Sequence, residues 1–129
     1  MSVHVVRLGT PRVADEGLRI GTVRRPPRGV PKADYARLDY YDVWLPNLAP
    51  SAELMGWLKE EPITPQRWRE FARRYHAEMS HPEAQHLLET LAALSHRTNF
   101  SVGCYCEDEA HCHRSLLRRL FEQLGGKLA

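Results

Sequence analysis

Short apolar runs separated by turn-forming residues dominate the N-terminal part of the chain. Val3 to Leu8 (VHVVRL) is rich in β-branched residues and reads as a strand. Leu18 to Val23 (LRIGTV) alternates apolar with small or polar residues and reads as a second strand. It leads into RRPPRGVP, where Pro26, Pro27, Gly29 and Pro31 exclude regular structure. Tyr40 to Leu45 (YYDVWL) is expected to form a third strand, bounded by Pro46.

From Ser51 onward the period lengthens to that of helices. Ser51 is a natural N-cap for a short helix carrying Leu54, Trp57 and Leu58 on one face. Thr64 followed by Pro65 is a second helix start, with Trp68, Phe71, Ala72, Tyr75 and Met79 at helical spacing. Ser80, His81 and Pro82 restart the chain into a third helix with Ala84, Leu87, Leu88, Leu91 and Leu94 on its apolar face. Asn99 to Cys106 (NFSVGCYC) returns to a strand. Leu116, Leu117, Leu120, Phe121 and Leu124 then mark a last helix, stopped by Gly125-Gly126. The order β-β-β-α-α-α-β-α predicts an α/β fold: a single compact domain over residues 1–129, with a small, mostly parallel sheet flanked by helices in Rossmann-like layering.

Composition narrows the function classes only a little. Apolar residues make up 43% and charged residues 26% of the 129, as in ordinary globular chains. A net charge of +2 does not by itself argue for nucleic acid. The basic residues are nevertheless clustered, with Arg24, Arg25 and Arg28 in one loop and Arg67, Arg69, Arg73 and Arg74 on one helix. No run is apolar and long enough to span a bilayer, and MSVHVVRLGT lacks the pattern of a signal peptide, so a cytoplasmic location is expected. Three closely spaced cysteines do not make a disulfide framework.

Those three cysteines carry the candidate chemistry. All of them, with two of the seven histidines, fall in VGCYCEDEAHCHRSLL, at a strand-to-helix junction. In open α/β sheets ligands bind beyond the carboxyl ends of strands, so this junction is well placed for a site. Three readings follow. One is an anion or nucleotide pocket, in which Arg24 and Arg28 of the proline-flanked loop join Arg114, His113 and Cys104 around the ligand. Another is a reactive thiol at Cys112, activated by the helix start, His111, His113 and Arg114, with Cys104 or Cys106 as its resolving partner. The third is zinc on Cys104, Cys106, Cys112 and His113 or His111. There the spacing is poor: C-x-C, five residues, then C-x-H replaces the usual pair of C-x₂₋₄-C knuckles. No cofactor is therefore expected. Elsewhere Trp57, Trp68 and Tyr75 read as core or groove wall. His76, His81, His86 and His96 read as surface residues, His4 as a strand-edge side chain, and Ser51 as a cap.

CYCEDEAHCHRSLL resembles the Cys…Cys-His-Arg signature of the domain of unknown function 488 family, with Cys104 on the first cysteine and Cys112, His113 and Arg114 on the triplet. Upstream, RIGTVRRPPRG resembles the strand and arginine–proline–arginine–glycine loop of its YeaO-like branch, at Arg24, Pro27, Arg28 and Gly29. Trp44, Leu48-Ala49-Pro50-Ser51, Leu54 and Trp57 match its next stretch, and Trp68, Phe71, Arg74, Tyr75 and Glu78 fit the following helix. The resemblance runs from about Val3 to Leu124. This chain departs from it with Val23 for aspartate, Pro26 for tryptophan and Cys106 for glutamate.

The resemblance implies a compact α/β domain and one site shared by Arg24, Arg28, Cys104, Cys112, His113 and Arg114. The resulting expectation is recognition and chemical processing of a small anionic or nucleotide-like ligand. Arg24, Arg28 and Arg114 would hold the anion, and Cys112 and His113 would be the catalytic pair. Two other classes stand open: a non-enzymatic thiol-redox or zinc-sensing module, and a protein-interaction domain using the Trp- and Arg-rich helix from Gln66 to Met79.

Overall fold

A computed structural model describes residues 1–129. Its elements are β1 (Val3–Arg7), β2 (Leu18–Gly21), β3 (Val43–Trp44), α1 (Ala52–Lys59), α2 (Pro65–Met79), α3 (Pro82–Leu94), β4 (Phe100–Cys104) and α4 (His113–Gln123). The four strands form one all-parallel sheet in the order β1-β4-β2-β3. This is the α/β architecture that the periodicity predicts. β4 is the last strand in sequence but lies in the middle, and all five of its residues are buried. Its composition follows from that position, because apolar Phe100 and Val102 alternate with small Ser101 and Gly103.

Phe100 and Val102 of β4, Val3 of β1 and Ile20 of β2 share one core with Leu54, Phe71, Leu88, Leu117 and Phe121 of the four helices. The helices begin where their caps direct. Ser51 Oγ accepts from the amide of Leu54 at 3.1 Å, and Thr64 Oγ1 accepts from that of Arg67 at 3.1 Å ahead of Pro65. α4 stops at Gly125, whose φ of 79° is open to glycine and strained for most other residues. No helix is long and apolar enough to cross a membrane.

Loops cover the other face of the sheet. There Arg19 of β2, 0% exposed, pairs with Glu16, 1% exposed. Tyr41 lies against Gly21 so closely that a Cβ at Gly21 would collide with its ring. The third strand is shorter than YYDVWL suggests because its first half does other work. Tyr41 is buried against Gly21, and the Asp42 carboxylate accepts from the Arg19 amide at 2.8 Å and from Arg12 Nη1 at 2.7 Å. β4 likewise ends at Cys104, because Tyr105 and Cys106 turn out of the sheet.

Parallel pairing sends every strand's carboxyl end to the same edge. At that edge Gly103 is wedged between its neighbours, and a Cβ there would come within 2.7 Å of the Val6 carbonyl oxygen and of Leu8 Cδ2. Gly103→Ala is therefore expected to destabilise the protein by about 1–3 kcal/mol through overpacking, read as a lower urea midpoint.

Candidate functional site

The cysteine stretch starts on β4 and ends on α4, and the turn between them folds back on itself. Asp108 Oδ1 accepts from the Ala110 amide at 3.0 Å, and its Oδ2 lies 3.0 Å from His111 Nδ1. Glu109 takes both ends of the Arg118 guanidinium at 2.9 and 3.0 Å. Two of the turn's acidic side chains thus brace the turn itself. The result is convergence of the three cysteines. Their sulfurs all lie within 4.8 Å of one another, and Cys104 Sγ and Cys106 Sγ are 3.5 Å apart. Linear spacing concealed this, because the tight turn at residues 109–111 removes the distance that five intervening residues suggest.

His113 is the first residue of α4 and is buried. Its Nε2 lies 2.7 Å from the Thr22 carbonyl oxygen, which can only accept, so Nε2 carries the proton. Thr22 Oγ1, also 3.2 Å from Nε2, sends its own hydrogen to the Gly103 carbonyl at 3.0 Å. In the neutral ring Nδ1 is then bare, and it lies 3.8 Å from Cys112 Sγ. Backbone just beyond β2 thereby orients a base at the start of α4 beside the thiol that precedes it.

Arg114 is 4% exposed and donates from Nη2 to the Cys106 carbonyl at 2.6 Å, while its Nε has no partner. It acts on the cluster from behind. Hydrogen bonds from Cys104 and then Cys112 hold the Cys106 thiol well below the usual range, and the positive charge of Arg114 outweighs part of the opposing effect of burial. Cys104 moves the other way: hydrogen bonding with Cys106 and then Cys112, and burial, all favour its neutral thiol. Cys112 is lowered, by the Cys104 hydrogen bond first and by His113. By the direction of these shifts, Cys106 is the sulfur of the three that most favours its charged form. The same three sulfurs are close enough to share a soft metal ion, and no histidine nitrogen belongs to that close-set group.

Above the sulfurs opens a cleft of about 550 Å³. Cys104, Cys106 and His113 form its floor, the loop after β2 one wall, and α1 the other. Its charged lining is entirely basic: Arg24, Arg25, Arg28 and Lys59, with no carboxylate. Motif residues set the α1 wall. Tyr75 Oη donates to the Leu48 carbonyl at 2.7 Å, and Glu78 receives the Ser51 amide at 2.9 Å. Arg24 ties the two walls, donating from Nε to the Pro50 carbonyl and from Nη2 to the Ala49 carbonyl, both at 3.1 Å.

The structure thus brings Arg24, Arg28, Cys104 and His113 to one cleft. Cys112 and Arg114 lie behind its floor, at 2% and 4% exposure, and neither lines the cleft. The sulfur that reaches the cleft beside Cys104 is that of half-buried Cys106. Sequence reasoning did not single out Lys59 or Thr22. Lys59 is one exposed lysine among the helix residues and carries no signal. Thr22 ends an apolar strand, a position where a hydroxyl can satisfy buried partners. Trp57 is packed between Arg67 and Arg74, whose guanidinium carbons lie 4.2 and 4.5 Å from its ring centroid.

Residues 3–125 match the family described as DUF488-N3a, the active DUF488-N3 subclade. Uncharacterized proteins of Mycobacterium bovis and of two Mycobacterium tuberculosis strains are each 31% identical over 125 residues, covering 97% of this chain and 95% of theirs. No solved structure matches the chain.

Proposed function

The chain belongs to the active DUF488-N3 subclade, and from that premise we propose that it binds a small anionic, nucleotide-like ligand in the strand-end cleft and processes it with thiolate chemistry. One observation supports this reading above the others. Three sulfurs converge within 4.8 Å beneath a cleft whose only charged lining is cationic. Arg24, Arg25, Arg28 and Lys59 hold the anion from the rim, where their field also favours its approach. Cys106 is the attacking sulfur, because it combines thiolate character with access. Cys104 donates to it. Behind it, His113 is the proton acceptor, set beside the Cys112 thiol, with Thr22 fixing its tautomer. Arg114 serves the thiolate rather than the ligand.

Calorimetric titration with inorganic phosphate and with adenosine monophosphate tests the binding half. Arg28 is exposed at the rim and makes no hydrogen bond within the protein, so Arg28→Ala leaves the fold intact. The substitution is expected to weaken the monophosphate by roughly 10- to 100-fold, the loss of one charge-assisted contact of about 1.5–3 kcal/mol. Equal affinity in wild type, Arg28→Ala and Lys59→Ala would reject the cleft as the anion's seat.

A further inference from the structure

The three sulfurs are not equivalent. Cys104 and Cys106 both reach the cleft, but Cys106 is half-buried whereas Cys104 is 8% exposed, and Cys112, behind the floor, is 2% exposed. A small oxidant entering the cleft meets Cys106, and any oxidised sulfur there already has two thiols within 4.8 Å. Of these, only Cys112 has a base beside it, His113 Nδ1 at 3.8 Å. Cys104 ends β4 two residues before Cys106, and its sulfur, though 3.5 Å from that of Cys106, has no such base beside it.

We propose that Cys106 is an oxidation site for hydroperoxides, and that Cys112 captures the resulting sulfenic acid as a Cys106–Cys112 disulfide. The inference rests on the reading of Cys106 as the accessible thiolate, and is independent of which anion binds. In the first step the Cys106 sulfur attacks one peroxide oxygen. An S–O bond forms, the O–O bond breaks, and the leaving hydroxide or alkoxide takes a proton from solvent. Sulfur loses two electrons and the peroxide gains them. In the second step Cys112 passes its proton to His113 Nδ1 and attacks the Cys106 sulfur. The S–S bond forms, the S–O bond breaks, and the departing hydroxide takes the imidazole-held proton and leaves as water. The bond would span the turn at residues 109–111, which the Asp108 and Glu109 contacts already hold folded. A thiol reductant reverses it.

Hydrogen peroxide treatment of the full-length reduced protein, followed by alkylation and peptide mass spectrometry, decides the matter. The expected product is a Cys106–Cys112 link that dithiothreitol removes and that still forms in Cys104→Ser. In Cys112→Ser the sulfenic acid has lost its captor, so dimedone labelling of Cys106 should rise about tenfold or more over wild type. A Cys104–Cys106 link in wild type would overturn the proposal. So would dimedone labelling of wild type as strong as that of the variant, or a Cys106 that stays reduced. The wild-type linkage map stands even if Cys112→Ser folds poorly. Iodoacetamide reactivity of the reduced protein separates the two readings. Rapid alkylation of Cys106 without a Cys112 link sinks only the capture, whereas absence of both sinks the thiolate as well.

Discussion

Iodoacetamide is expected to alkylate Cys106 almost as fast at about pH 6 as at about pH 8.5, whereas a free thiol with its pKa near 8.5 would slow by roughly 100-fold. The sign follows from the direction of the shift. Hydrogen bonds from Cys104 and Cys112, with the charge of Arg114, lower the pKa of Cys106, so its charged form persists as pH falls. Cys106→Ser should abolish the fast reaction, because Cys104 and Cys112 are buried. Arg114→Met should return part of the ordinary pH dependence by removing the positive charge. Alkylation at Cys106 that falls 100-fold across this range would show an ordinary thiol and remove the basis for its proposed role. Mapping the labelled peptide at each pH makes the measurement unambiguous.

Glu16→Ala is expected to destabilise the protein by about 3–5 kcal/mol, because it leaves a buried guanidinium without its counter-charge. For a chain of this length that is a fall of roughly 10–20 °C in melting temperature. Glu16 meets Arg19 Nε at 2.6 Å and Nη2 at 3.0 Å, and also accepts from Ser101 Oγ at 2.8 Å and the Val13 amide at 3.1 Å. Arg19 in turn donates to the Thr10 and Asp39 carbonyls at 2.8 and 2.7 Å, so the pair fastens the loops that cover this face of the sheet. Burial works to raise the Glu16 carboxyl, but its bonds from Arg19, Ser101 and Val13 prevail and hold it below its usual value. Its contribution is therefore complete above the unfolded value of about 4.3 and is lost as pH falls through the lower folded value. Thermal melts at neutral pH test the variant. The double change Glu16→Ala with Arg19→Met should recover much of the loss, since it removes the stranded charge too. A shift of only a few degrees for the single change would mean that water reaches Arg19.

Much of this fold was legible from periodicity and caps. Ser51, Thr64–Pro65 and Gly125 mark helix boundaries through local chemistry, and local chemistry is written in adjacent residues. The strand-end location of the cysteine stretch was legible for the same reason. What lay hidden depends on contacts between distant segments. Alternation puts Arg19 on the polar face of its strand, and nothing near it announces that the loop around Glu16 and the stretch from Asp39 to Asp42 will bury it. Arg114 opens a helix beside a site and so suggests a ligand contact, yet the Cys106 carbonyl takes its Nη2 and the fold encloses it. Cys112 carries the sequence hallmarks of an activated thiol, but exposure decides which sulfur meets a reactant, and exposure is set by how the turn at residues 109–111 packs. The spacing of the cysteines counted residues when the relevant quantity was the distance between sulfurs.

The cleft's two halves are encoded separately. Its sulfur floor stands at the end of β4, on the turn that follows it and at the start of α4, whereas its cationic rim stands on the loop after β2 and on exposed positions of α1. Arg25, Arg28 and Lys59 contribute nothing to the hydrophobic core. On the proposed function, a lineage can therefore exchange rim residues and change what is selected without disturbing the thiol chemistry. For the same reason, retargeting this protein by directed evolution should begin at residues 25, 28 and 59.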